Sequence, residues 1–291
     1  MYSKYTLSGH ESFPCKTLWL TKGYRFLLKG GNFNAPDAVI ALGVGKNMVA
    51  SIRYWLKAFG LSTHDGPTDL ANYLFDETEG KDPYIESLGS LWLLHYLLVC
   101  SKEATLYHIT FIQFQKERKV FDKEQLTNFV KRLMIADHKD KLFNANTTKK
   151  DVSVLLQNYA QPHKAKSFED YSSLLMDLDL IRMDEDGKTF AFNIEGKRNV
   201  PLEIFLYAVL CEKGHDHSVS FDTLQDVGLT FCMSDTEVME MSRKIGEKYA
   251  DEVQYSDHAG IRQLLFKENT CLSSKDVLNQ YYNHAAVQFV S

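Results

Sequence analysis

The chain has 291 residues, 44% of them hydrophobic and 24% charged, with a formal net charge of -5. That composition can bury real cores and excludes extensive disorder, and the length suits two or three domains of about 100 to 150 residues each. The longest apolar run, Leu88 to Cys100, is broken by His95, falling short of the roughly 18 to 20 residues that cross a bilayer; with no secretory signal pattern at the start, a cytoplasmic protein without membrane partners is expected.

In chain order, "FNAPDAVIALG" predicts a short helix with Asn34 as cap and Pro36 near its first turn, stopped by Gly43. Met48, Val49, Ile52, Trp55, Leu56 and Phe59 then recur on one helical stripe, ending at Gly60. "PTDLANYLF" reads as a capped short helix and "IESLGSLWLLHYLLVC" as a deeply buried one. Asp122 with Gln125 predicts a capping box for "DKEQLTNFVKRLM", and Thr148 with Asp151 suggests the same start for "TTKKDVSVLLQNYA". A helix from about Phe168 to Met176 should lead into the strands "LIRM" and "TFAFNI" across the turn "DEDG", the ending of a winged-helix unit. Pro201 opens a further helix that Gly214 stops, and Ser234 with Glu237 caps another. "VQYSDHAGIRQLLF" is compatible with strand, turn and strand or with a helix.

The expected fold is therefore mainly α with short β-hairpins, built from tandem helix-turn-helix or winged-helix-like units. The expected divisions are a basic helix-turn-helix domain over 1–105, a helical middle domain ending in a hairpin wing over 106–200, and an acidic, mostly helical domain over 201–291. No repeat of constant period is visible. The five cysteines, Cys15, Cys100, Cys211, Cys232 and Cys271, never stand in CxxC spacing, which argues against a zinc site or disulfide framework and for small buried hydrophobes.

The net charge hides two basic blocks. Residues 1–60 hold eight basic against two acidic side chains, and residues 116–166 hold twelve against six, whereas residues 61–115 and the chain beyond 166 are acidic. Concentrated Lys and Arg are what a phosphate backbone requires, although a charge run is also an ordinary solvated face.

"GVGKNMVASIRYWLKAFG" carries the sharpest functional signal. It is not a phosphate-binding loop, because Ile40 stands where the first glycine is needed and Asn47 where a hydroxyl must meet the metal. A short helix, a glycine turn and a second helix instead fit a helix-turn-helix, with Asn47, Ala50, Arg53, Tyr54 and Lys57 on the face opposite the apolar stripe and Lys46 at the helix start. The plain competitor is a core helix with a solvated back.

"SGHESFPCKTLWLTKGY", "DAVIALGVGKNMVASIRYWLKAFGL", "DPYIESLGSLWLLHYLL", "NTTKKDVSVLLQNYA" and "HAGIRQLLF", in that order from Leu7 to Phe266, together resemble a bacterial family found beside DNA phosphorothioation genes. It includes the SspB-like DNA-nicking component of Ssp-type modification and defence systems. The resemblance implies a protein that engages double-stranded DNA together with a cysteine desulfurase, an ATPase and an ATP-pyrophosphatase-like enzyme, and that opens one strand in support of sulfur incorporation. The motif positions it carries over are His10, Glu11, Lys46, Asn47, Arg53, Asp82, Glu86 and Arg262. The candidate nucleic-acid-binding set is Lys22, Arg25, Lys46, Asn47, Ser51, Arg53, Tyr54, Lys57 and Arg262.

Strand cleavage needs carboxylates around a metal such as Mg2+, or a positioned base. His10 with Glu11 is the most suggestive pair, against the reading that His10 bonds backbone near a turn. Asp82 and Glu86, four apart, could share Mg2+ on a helix face, or Asp82 could simply cap the helix beginning at Pro83. "GHDHS" reads as a solvated loop and His95 as a core histidine. The non-catalytic alternative is a DNA-binding adaptor that recruits modification enzymes through its acidic C-terminal third; a transcriptional regulator ranks third.

Overall fold

The computed structural model describes residues 4–101, 103–163, 172–194, 196, 199–258, 260–268 and 272–288. They form two compact units, Met1–Asn193 and Ile194–Ser291. The secondary structure is mainly α with two small three-stranded antiparallel sheets.

The first unit opens with α1 (Trp19–Leu28), α2 (Ala38–Leu42) and α3 (Lys46–Ala58). Gly43 ends α2 with a left-handed φ of 60°, a conformation that glycine adopts without the steric cost of a Cβ. Ala38 and Leu42 of α2 then pack on Val49 of α3. The N-cap of α2 is Asp37, and Asn34 spends its side chain accepting from Arg53 instead of capping. The apolar stripe of α3 is buried, with Ile52, Trp55, Leu56 and Phe59 inaccessible to solvent; at about 1.5–3 kcal/mol per buried side chain, this packing fixes which face of α3 is left outside.

α4 (Asp69–Phe75) is capped by Thr68. α5 (Leu88–Cys100) is apolar on every side and its His95 is wholly buried, bonded through Nδ1 to the Tyr159 hydroxyl at 2.8 Å. α6 (Thr105–His108) runs through a π-helical turn, Ile109–Phe114, into α7 (Gln115–Glu117). Then come β1 (Val120–Asp122), α8 (Lys123–Ala136), α9 (Ala145–Tyr159), β2 (Ile181–Met183) and β3 (Thr189–Phe192), with β3 central in the order β1-β3-β2. The capping box of α8 is present. That of α9 is not: Asn144 is the cap, Thr148 is buried with its hydroxyl on the Asn144 carbonyl, and Asp151 has another use. Of the helix expected over 168–176, residues 168–171 lie outside the described residues, and Met176–Leu178 forms a 3-10 turn.

The second unit runs α10 (Leu202–Lys213), β4 (Ser218–Ser220), α11 (Phe221–Thr230), α12 (Asp235–Lys248), β5 (Val253–His258), β6 (Ile261–Phe266) and α13 (Ser274–Gln288). The undecided stretch is thus a hairpin, with Val253 opposite Phe266 and His258 opposite Ile261. Its sheet order is β4-β6-β5. Both sheets therefore close the same sequence of elements: helix, strand, two helices, then a hairpin whose last strand lies in the middle. No helix among the described residues is long and apolar enough to cross a membrane.

Not every cysteine is a buried hydrophobe. Cys15 and Cys232 are buried, Cys100 and Cys211 are exposed, and Cys271 lies outside the described residues.

Candidate nucleic-acid interface

The outer face of α3 exposes Lys46, Asn47, Ala50, Arg53 and Lys57. Lys46, Ala50, Arg53 and Lys57 stand at i, i+4, i+7 and i+11, a single line along the helix. Gly45 caps α3 without a side chain, so the first N–H groups of the helix lie beside Lys46 and Asn47, where the helix dipole favours an anion. Arg53 donates to Asn34 Oδ1 at 2.8 Å, and Lys57 pairs with Glu103 at 3.0 Å.

The remaining members of the expected set are placed elsewhere. Ser51 is buried and donates its hydroxyl to the His10 carbonyl, so it belongs to the inner face of α3. Tyr54 is half-buried; burial, then Asp151 and Glu103, push its phenol pKa up, which keeps it protonated. Lys22 and Arg25 line a cavity of about 550 Å³ beside Thr21, Lys29, Leu42 and Tyr84, between α1 and α2. Lys22 donates to the Leu42 carbonyl at 2.9 Å, and Arg25 pairs with Glu77 at 3.0 Å with its guanidinium over the Tyr84 ring. Arg262 belongs to the second unit, on β6, paired with Asp257 and lying over Phe221.

His10 sits in a loop that the backbone enters only with effort. Ser8, Glu11 and Ser12 have φ of 72°, 47° and 64°, and Gly9 of 106°, so three residues with a Cβ occupy the left-handed region, at about 1–2 kcal/mol apiece. Side chains from two helices hold it there. His10 is 5% exposed and its Nε2 lies 2.9 Å from Asp151 Oδ1, while the Ser12 N–H donates to His10 Nδ1 at 3.1 Å. Because Nδ1 accepts, the proton of the neutral ring is on Nε2 and is donated to Asp151. The other Asp151 oxygen accepts from the Ser8 N–H at 2.9 Å. From α3, Ser51 and the Trp55 indole donate to the carbonyls of His10 and Phe13; from α9, Asn158 accepts from the Cys15 N–H at 2.9 Å. The ring stands edge-on to Tyr54 and stacks on Trp55. Both ring nitrogens of this buried histidine are thus engaged.

Asp82 is equally committed. Its two carboxylate oxygens accept from the Glu86 and Ser87 N–H groups at 2.8 and 2.9 Å, holding the bend before α5, whose first residue is Leu88 and not Pro83. Glu86 and Glu11 are exposed. No group of three or more His, Cys, Asp or Glu among the described residues is placed to hold a metal. In "GHDHS", Gly214 to His217 form an exposed loop after α10, and Ser218 opens β4.

Sequence reasoning missed Asp151 and Asn158 as the partners of the N-terminal loop. The available signal was a carboxylate and an amide seven apart, hence on one face of a helix whose other positions there are apolar.

Residues 7–282 match a family described as "Protein of unknown function (DUF4007)". The chain belongs to this family. This member is also similar along its length to two solved structures. One, "Magnesium ion-bound SspB crystal structure", is 27% identical with a TM-score of 0.84, over 96% of this chain and 88% of that one. The other, "SspB crystal structure", is 26% identical with a TM-score of 0.82 over the same shares. The chain is thus SspB-like in sequence and fold. Among curated proteins none matches it.

Proposed function

We propose that the protein binds duplex DNA through the outer face of α3 and serves a DNA phosphorothioation system, nicking one strand in support of sulfur incorporation alongside a cysteine desulfurase, an ATPase and an ATP-pyrophosphatase-like enzyme. The observation that carries this reading is the whole-length likeness to SspB. The exposed Lys46, Asn47, Arg53 and Lys57 on the second helix of a helix-turn-helix support it, being the pattern that places cations on phosphates and an amide near base edges. The two helix–strand–helix–helix–hairpin segments are read as winged-helix units. Magnesium enters as the cation a nicking assay supplies, and no residue of this chain is assigned to hold it.

A second reading, a DNA-binding adaptor that recruits the modification enzymes, is favoured by one observation: His10 and Asp82 are consumed by structural hydrogen bonds. Fluorescence anisotropy with duplex DNA tests the shared part. Lys46→Ala and Arg53→Ala should each weaken binding and flatten its salt dependence by about one unit of slope; unchanged affinity and slope refute the α3 interface. Plasmid relaxation with Mg2+ and with EDTA then separates the two, since magnesium-dependent open-circular product supports the nickase, and binding without conversion supports the adaptor.

A further inference from the structure

α9 repeats the surface logic of α3. Its buried positions, Thr148, Asp151, Val152, Val154, Leu155, Leu156, Asn158 and Tyr159, take up the inward side of the helix, with Asp151 and Asn158 on the N-terminal loop. On the opposite side Asn146, Lys149, Lys150 and Gln157 are exposed and Ser153 is half-buried. Asn146, Lys150, Ser153 and Gln157 stand at i, i+4, i+7 and i+11, the same register as the line on α3. Lys123, at the start of α8, reaches over to donate to the Ser153 hydroxyl at 3.2 Å and adds a cation to this face. The one acid on the helix, Asp151, is turned inward, its two oxygens accepting from the Ser8 N–H and from His10. α9 also occupies the position after β1 and α8 and before the β2–β3 hairpin, the place of the reading helix in such a unit.

The loop of residues 8–15 joins the two helices. Ser51 and Trp55 of α3 hold it from one side, Asp151 and Asn158 of α9 from the other. With the Ser8 N–H on Asp151, five hydrogen bonds tie this strained segment to the inner faces of both helices.

From this arrangement we infer that α9 is a second DNA-contacting helix, with Lys149, Lys150 and Lys123 on phosphates and Asn146 and Gln157 at base edges. The inference rests on the DNA reading of α3 and adds a contact to it. The β2–β3 turn is not part of the surface, because Asp184, Glu185 and Asp186 would repel phosphates.

The test uses the full chain and duplexes of graded length. Lys149→Ala/Lys150→Ala, exposed changes that leave thermal unfolding in place, should lower the salt slope by about two and the affinity roughly tenfold or more near 0.1 M salt, and shorten the protected footprint. Lys244→Ala/Lys275→Ala, exposed in the second unit, should leave the slope unaltered. If the α9 pair leaves slope and footprint as they were while Lys46→Ala/Arg53→Ala reduces them, the α9 contact is wrong and the α3 reading stands. If the control pair lowers the slope as much as the α9 pair, the contact is diffuse charge and the assignment to α9 is overturned. A wild-type chain that binds no duplex overturns both.

Discussion

Removing the Asp151 carboxylate should destabilise the fold while leaving the surface chemistry alone. The side chain is 5% exposed and accepts from the Ser8 N–H and from His10 Nε2, each at 2.9 Å. Asp151→Ala strands two donors at about 1–3 kcal/mol each, or about 2–6 kcal/mol in all. His10→Ala leaves a buried carboxylate with one hydrogen-bond partner fewer and empties the space against Tyr54 and Trp55, at about 2–5 kcal/mol. Each change removes the same contact, so the double variant should fall short of the sum of the two by about 1–3 kcal/mol. Urea unfolding followed by tryptophan fluorescence measures all four states, and Trp55 reports from beside the ring. His10→Gln retains an N–H for Asp151 without an imidazole and should recover part of the stability. Additive single effects, or singles as stable as wild type, would refute the clamp. A well-folded His10→Gln that binds DNA but has lost all nicking would return His10 to the chemistry.

Further predictions concern the same loop and its surroundings. Gly9→Ala should destabilise by more than about 1 kcal/mol, since its φ of 106° disfavours any side chain and a Cβ there would lie 2.6 Å from the Tyr54 ring; a thermal midpoint equal to wild type contradicts this. Cys15 should react with a thiol reagent at pH 8 only after unfolding, because burial raises its pKa well above the ordinary value, while exposed Cys100 and Cys211 react in the folded protein; mass mapping of labelled peptides reads the difference. Hydrogen bonds from the Thr189 hydroxyl and the Thr189 and Lys188 N–H groups lower the Asp186 carboxyl to about 2. Its contribution to stability is therefore complete above the ordinary carboxylate range and lost as pH falls from about 4 towards about 2. Asp186→Asn should flatten the decline of the thermal midpoint across that window, and an unchanged decline counts against it.

Local sequence determined most of the elements. The period of Val49, Ile52, Trp55, Leu56 and Phe59 fixed both the existence of α3 and the face it buries, because an apolar stripe of that width has one stable orientation. Gly43 and the capping residues Asp122 and Ser234 act within four residues of themselves and were legible for the same reason. Where the chemistry is non-local the sequence was silent. Thr148 and Asp151 look like a helix start until α9 is extended back to Asn144 and Asp151 turns out to serve a histidine 141 residues away. Ser51 looks like part of an exposed face until the loop of residues 8–15 lies across it. The common element order of the two sheet-bearing segments is invisible as a sequence repeat, since strand pairing is satisfied by backbone groups and constrains side chains only by alternation. Charge was the mixed case: the two basic blocks are plain in the composition, but only tertiary packing sent Lys22 and Arg25 to a cavity beside α2 and left Lys46, Arg53 and Lys57 in line on α3. Periodicity says which way a helix faces its own core, whereas which distant side chains share a surface depends on how helices cross, and that is decided by packing over the whole unit.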